Sequence, residues 1–246
     1  RDSVHGSMKD EVALKGNHLI VKDQSVRIIR GGKPGDIPWD AFDVDFVIDA
    51  TGQSLTRNEL ELHIEAGANR VFTTKNPKEI IDRYVIPGIN EETIKFEDKI
   101  VSTTSSTTQV LALMVKMLDE KFGLERAMMT TVHAYTADQP LADAAGIDLR
   151  RSRSAAENII PNTTNAPAII EQIMPKFKGK IDGIAFNVPV PNGSCVDLTT
   201  QLTKTPTVNE ANEAIKDYAK NSLNGIVGYT ADPIVSSDVS GRKETM

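Results

Sequence analysis

At 246 residues, with 39% hydrophobic and 25% charged side chains, the chain can bury a sizeable core and has the balance of an ordinary globular protein. A net charge of −6 with no dense Lys/Arg block argues against a nucleic-acid partner; the nearest basic run, Leu149–Arg153, suits one small anion. The single cysteine, Cys195, excludes a disulfide framework within the chain and fits a reducing, cytoplasmic compartment, and no apolar run of about twenty residues points to a membrane.

In chain order, His18–Lys22 and Ser25–Arg30 are β-prone runs followed by a Gly/Pro turn cluster. Val44–Gly52 ("VDFVIDATG") is an apolar run closed by a small-residue turn, the pattern of a buried parallel strand. Leu55–Ala66 has helical spacing, with Gly67 as its C-cap. Further strands are expected at "RVFTT", "YVIPGIN" and "DKIVSTT". Strand–helix–strand alternation of this kind predicts an α/β layered sheet. Next, Leu111, Met114, Val115 and Leu118 form a helical stripe, and "AMMTTVHAYT" reads as a strand. A Pro-entered loop then leads into a helix with Ile169, Ile170 and Ile173 on one face. "GIAFNVPVP" and "SCVDLTTQLTK" are β-like, and "VNEANEAIKDYAKNS" is an amphipathic helix. Longer strands out of strict alternation predict an α+β second half.

The Ser/Thr-dense stretch "VSTTSSTTQV" (Val101–Val110) places Ser102, Ser105, Ser106, Thr107 and Thr108 at a strand-to-helix junction. Such hydroxyls either cap the helix or hold an anion at its positive end; taken alone, the cap is the simpler reading. His133 lies inside an apolar strand, where a lone histidine is ordinarily structural. Arg150, Arg151 and Arg153 could pair a phosphate or form a solvated charge run. Thr163 and Thr164 are placed to cap the following helix. Cys195 reads as a small buried hydrophobe. Ala50–Gly52 ends a strand, as a simple turn or as a point where a cofactor approaches. No metal site is assigned.

As an ordered set, these segments resemble phosphorylating glyceraldehyde-3-phosphate dehydrogenase. "DSVHGSMKDEV", "IPW", "VIDATG", "HIEAGANRV", "TTVHAYTADQ", "DLRRSRSAAENIIP", "GKIDGIAFNVPVPNGS", "VDLT" and "GIVGYTADPIVSSD" occur in family order and spacing over nearly the whole chain. Erythrose-4-phosphate dehydrogenases are close relatives of the same pattern. The resemblance implies an incomplete Rossmann-type NAD(P)-binding domain over residues 1–104, lacking its first βαβ unit. An α+β catalytic domain with a mixed or antiparallel sheet would follow over residues 105–246, its C-terminal end missing. It also implies NAD or NADP as cofactor, a phosphorylated small aldehyde and inorganic phosphate as substrates, and a homotetramer without nucleic-acid or membrane partners. The segment between Tyr135 and Asn158 resembles the family's interface loop.

Carried over residue by residue, the family's cysteine nucleophile falls on Ser106, and its histidine base on His133. The substrate-phosphate pocket keeps Thr136 and Arg151, with Asn187 in place of a second arginine. The inorganic-phosphate pocket keeps Ser105, Thr107 and Thr164, with Asn165 in place of a glycine. Thr51 and Gly52 match on the cofactor side, and Thr74 stands where serine is usual. Gln109, Ala137 and Gly32 also depart from the family pattern, standing for asparagine, asparagine and arginine. The family's thiolate is a potent nucleophile, whereas a serine hydroxyl needs a base and an orienting third group. No carboxylate at a family position is suited to orient His133. The expectation is therefore a dehydrogenase by descent with weak or absent turnover, or alternatively a non-catalytic binding or assembly paralogue that keeps an anion site.

Overall fold

The computed structural model describes residues 2–246, whose backbone divides into two compact units. One comprises the residues up to Arg83 together with Ile94–Thr103; the other comprises Tyr84–Thr93 and Thr104–Met246.

The first unit opens with an antiparallel meander of β1 (Val12–Lys15), β2 (His18–Val21) and β3 (Gln24–Arg27). Two-residue turns join these strands, and each begins at positive φ, +60° at Gly16 and +55° at Lys22. This is the backbone hand that matches strand twist in tight hairpins. The expected strands at 18–22 and 25–30 are thus β2 and β3, and β1 is an additional strand that its polar flanks concealed.

A parallel sheet follows, ordered β4-β5-β7-β6. It contains β4 (Phe46–Asp49), β5 (Arg70–Thr73), the two-residue β6 (Arg83–Tyr84) and β7 (Ile100–Ser102), with β4–β5 and β5–β7 parallel. Between β4 and β5 runs α1 (Arg57–Glu65). Its start is written in "TRNE": the Thr56 hydroxyl accepts from the Glu59 N–H at 3.2 Å, and the Glu59 carboxylate accepts from the Thr56 N–H at 2.7 Å. The helix buries Leu60 and His63, and the sheet contributes Val47, Val71, Ile100 and Val101 to the buried apolar residues.

The strand expected over "YVIPGIN" shrinks to β6. Pro87 brings no N–H, Gly88 takes φ +80°, and the Asn90 side chain closes a turn by accepting from Ile86 N–H and donating to the Tyr84 carbonyl, each at 2.9 Å.

The second unit is a mixed sheet with helices. Its strands are β8 (Leu124–Ala134), β9 (Ile160–Asn162), β10 (Ile181–Val188) and β11 (Cys195–Leu202), in the order β11-β8-β10-β9. β8 and β10 are parallel, while β11 and β9 run antiparallel to their neighbours. The helices are α2 (Ser106–Phe122), α3 (Ala166–Ile173) and α4 (Val208–Lys220). Leu111 and Val115 of α2, Met129 of β8, Ile170 of α3, Phe177 and Ile181 form one buried cluster; Leu113 and Met117 meet Tyr218 and Leu223 in another. A helix supplying residues to both clusters is held on two sides, which fixes where its N-terminus lies.

The first unit is therefore α/β with parallel strands, and the second is α+β with a mixed sheet, as the sequence pattern predicts.

Candidate active site

The Ser/Thr loop becomes the N-terminus of α2. Ser105 is the N-cap: its Oγ accepts from the Thr108 N–H at 3.2 Å and lies 2.8 Å from Thr108 Oγ1. Just before it, Thr104 is buried at φ +65°, an unusual conformation for a β-branched residue. Strain of this kind is kept where surrounding structure imposes it, commonly at ligand or catalytic loops. The turn sets Ser106 at the first position of the helix, exposed, with Thr107 half-buried beside it.

Ser106, Thr107 and His133 line one cavity of about 820 Å³. Its remaining wall includes Tyr135, the 191–196 segment and Arg242. His133 reaches it because β8 alternates: Ala127, Met129 and Thr131 face the helices, and His133 continues that side at the strand's C-terminal end. The His133 Nδ1 lies 2.7 Å from the Ala134 carbonyl oxygen. A carbonyl only accepts, so Nδ1 carries the proton and the neutral ring keeps its lone pair on Nε2. That tautomer leaves the second nitrogen able to take a proton.

Asn187 pairs with His133 in the β8–β10 register and is buried. Its Nδ2 donates to the same Ala134 carbonyl at 3.2 Å, and its Oδ1 accepts from Asn162 Nδ2 at 2.9 Å. The side chain standing at the family's second arginine position is thus committed to the backbone beside the histidine.

Thr136 and Arg151 are brought together, but by a third residue. Thr136 Oγ1 donates to one oxygen of Asp138, and Arg151 Nη2 donates to the other. At α3, the Thr164 hydroxyl accepts from the Ala166 N–H at 3.2 Å, a local capping bond, and Asn165 is the N-cap residue. Ser105 and Thr164 therefore cap their own helices; of the expected inorganic-phosphate set, Thr107 opens into the cavity.

Two positions escape sequence reasoning. Thr131 lines the cavity two residues before His133, and its Oγ1 is buried without a hydrogen-bond partner. Only a strand parity count, applied outward from His133, would have marked it. Cys195 is exposed rather than buried, contrary to the sequence expectation. Val196, Leu198 and Leu202 turn inward to the core, while Cys195, paired with Val132 at the start of β11, borders the cavity.

In the first unit, Thr51, Gly52 and Thr74 are exposed at the carboxyl ends of parallel strands β4 and β5. In open parallel sheets this edge receives ligands. Asp49 organises it: its Oδ1 accepts from the Thr51 N–H at 3.0 Å and from Thr51 Oγ1 at 2.7 Å, and its carbonyl accepts from the N–H and Oγ1 of Thr74 at 3.0 and 3.2 Å. The remaining carboxylate oxygen, Oδ2, is buried and unpartnered. Gly52 sits at φ +75° with open space where a Cβ would project. The ledge offers two threonine hydroxyls and a carboxylate acceptor. Among the described residues, no cluster of His, Cys, Asp or Glu is placed to hold a metal ion, and no helix is long and apolar enough to cross a membrane.

Residues 105–246 match the family described as glyceraldehyde 3-phosphate dehydrogenase, C-terminal domain, and residues 1–57 match that family's NAD binding domain. The chain belongs to the glyceraldehyde-3-phosphate dehydrogenase family. It is 41% identical over 243 residues to glyceraldehyde-3-phosphate dehydrogenase of Geobacillus stearothermophilus, covering 98% of this chain and 72% of that relative. Identity to glyceraldehyde-3-phosphate dehydrogenase 1 of Bacillus subtilis is 40% over 245 residues, covering 99% and 73%. The chloroplastic glyceraldehyde-3-phosphate dehydrogenase A of Scenedesmus vacuolatus is 42% identical over 239 residues, covering 96% and 76%. Membership of this family makes NAD or NADP the cofactor class.

Proposed function

We propose that the chain is a glyceraldehyde-3-phosphate dehydrogenase-type oxidoreductase by descent whose dehydrogenase turnover is weak or absent, because Ser106 occupies the nucleophile position. The supporting observation is the cavity itself. Exposed Ser106 shares it with His133, whose Nδ1 is held by a backbone carbonyl rather than by a carboxylate. Activating a serine hydroxyl requires a base that is itself oriented and whose positive charge is stabilised after proton transfer. His133 supplies the base with a carbonyl dipole in place of a counter-charge. An oxygen ester formed at Ser106 would also pass its acyl group to phosphate less readily than a thioester. Bound NAD or NADP supplies the hydride acceptor. Thr51, Gly52 and Thr74 are the residues we assign to its strand-end contact.

The test is NAD reduction by the intact protein with glyceraldehyde 3-phosphate and phosphate, as found and as Ser106→Cys. Turnover near background that rises by about two orders of magnitude or more in the cysteine variant is expected, since a thiolate beside a histidine is populated at neutral pH. Robust turnover by the serine form would refute the reading. An inert Ser106→Cys protein that still binds cofactor would remove Ser106 from the nucleophile position and favour a binding or assembly role for the fold.

A further inference from the structure

Three side chains from separate elements meet beneath the strand-end ledge of the first unit. Strand β4 alternates, so Val47 and Asp49 turn inward while Phe46 and Ile48 face out. The inward residues of α1 are Leu60 and His63. His63 is 8% exposed and Asp49 5%. From a short 3-10 helix at Trp39–Phe42, the indole N–H of Trp39 donates to His63 Nδ1 at 3.0 Å, with the ring centroids 5.8 Å apart. Nδ1 is thus the acceptor, and the neutral ring carries its hydrogen on Nε2.

The backbone around Trp39 does not depend on that bond. The Asp40 N–H donates to the Ala66 carbonyl at 3.2 Å, and a Cβ on Gly67 would come within 2.5 Å of Asp40, so the turn is seated on the end of α1 by itself. Asp49 is unevenly used. Its Oδ1 accepts twice from Thr51, its Oδ2 is buried without a partner, and its carboxylate is the charge that acts on the His63 ring. The other charged groups on the surrounding elements are committed elsewhere. Glu59 and Glu61 pair within α1, Asp36 and Asp40 accept from backbone N–H groups, Arg70 donates to backbone carbonyls, and Glu65 is exposed.

We propose that His63 is a pH-operated latch under the ledge: neutral, it holds Trp39 and leaves Asp49 to Thr51; protonated, it releases the indole and donates to Asp49 Oδ2. An imidazolium has a hydrogen on each nitrogen, so Nδ1 no longer accepts from the indole, and two donors face each other. The unpartnered oxygen of Asp49 offers the opposite charge and an acceptor in one group. Pairing there draws on the same carboxylate that Oδ1 uses to hold the N–H and hydroxyl of Thr51, and loosens that hold. Low pH therefore weakens the ledge from below. This last step rests on the assignment of Thr51 to the cofactor contact; the latch itself does not.

The intact protein is titrated from about pH 8 to about pH 5, the range of histidine ionisation, with two readouts. Emission reports Trp39 alone, the chain's one tryptophan, and calorimetry gives the NAD affinity. Wild-type emission is expected to change in a one-proton step below pH 6.5 with circular dichroism constant, and NAD affinity to fall about fivefold or more across the same step. In His63→Gln, which keeps an acceptor for the indole, both curves should be flat. In Asp49→Asn, which offers the imidazolium no charge, the emission step should move to lower pH. An emission step that is absent, or that persists in His63→Gln, overturns the latch. A step at the same pH in Asp49→Asn removes Asp49 from it. NAD affinity that stays constant across the wild-type step overturns the coupling to Thr51. An intact emission step with no NAD binding at any pH overturns the cofactor assignment of the ledge and upholds the latch.

Discussion

Trp39 donates its indole N–H to Nδ1 of His63 at 3.0 Å, which requires that nitrogen to be unprotonated. Burial lowers the His63 pKa from its ordinary value of 6.5, and the nearby negative charge of Asp49 only partly opposes the shift. The unfolded chain then binds the proton more readily than the folded one. Stability from this site is present in full above the unfolded value and is lost as pH falls through the lower folded value. Denaturation followed by the fluorescence of Trp39, the chain's one tryptophan, should show a midpoint that falls between about pH 7.5 and about pH 5. In His63→Gln, which keeps an acceptor but does not titrate, the fall should be smaller. Equal pH dependence in the two proteins would show that His63 titrates alike in both states. At this scale the sequence was only partly legible. The strand reading put His133 in β8 and only the family resemblance gave it a role, while the residue-type prior for cysteine put Cys195 inside when the inward positions of β11 are Val196, Leu198 and Leu202. Asp138 could not be read at all, because its role depends on a loop fold that carries it to Arg151, thirteen residues away.

Elements were read more easily, since their signals are local. The periodic stripe of α2 and the apolar run of β4 each announce structure within a few residues, and the capping boxes Thr56–Glu59 and Thr207–Glu210, which the sequence reading passed over, are equally local. What joins elements is less visible. Asp82 lies outside regular structure, yet it accepts from Arg57 Nη2 at 2.7 Å and from the N–H groups of Lys99 and Ile100 at 2.8 and 3.0 Å. It thereby ties the start of α1 to the start of β7. Burial alone would raise its pKa, but the Ile100 N–H and the Arg57 guanidinium outweigh it and hold the carboxyl below its ordinary range. Replacing it with alanine leaves two backbone donors and a guanidinium short of an acceptor. Asp82→Ala is expected to cost about 2–3 kcal/mol in urea denaturation, more than a typical surface change. A loss below about 0.5 kcal/mol would mean that water replaces the carboxylate at all three donors.

For the whole molecule, the most informative surface is apolar. Leu141, Ile147 and Leu149 project from the loop between β8 and β9, with Ile147 fully exposed at 105% and Leu149 at 80%. Single exposed apolar residues need no explanation, but three within nine residues of one loop mark a contact surface. Charge cannot hold this loop to a partner at long range, because its arginines and aspartates cancel within it. Burial of the leucines and isoleucine against a second copy is the remaining source of affinity. We therefore expect the protein to sediment as a homo-oligomer, with a tetramer as the state the family resemblance implies. Ile147→Asp should shift it toward smaller species, because a carboxylate would be desolvated at the contact. The fold of each subunit should be unaffected, since this side chain touches solvent rather than core. A protein that sediments as a monomer at tens of micromolar, or an Ile147→Asp variant whose assembly is unchanged, would remove this loop from the interface.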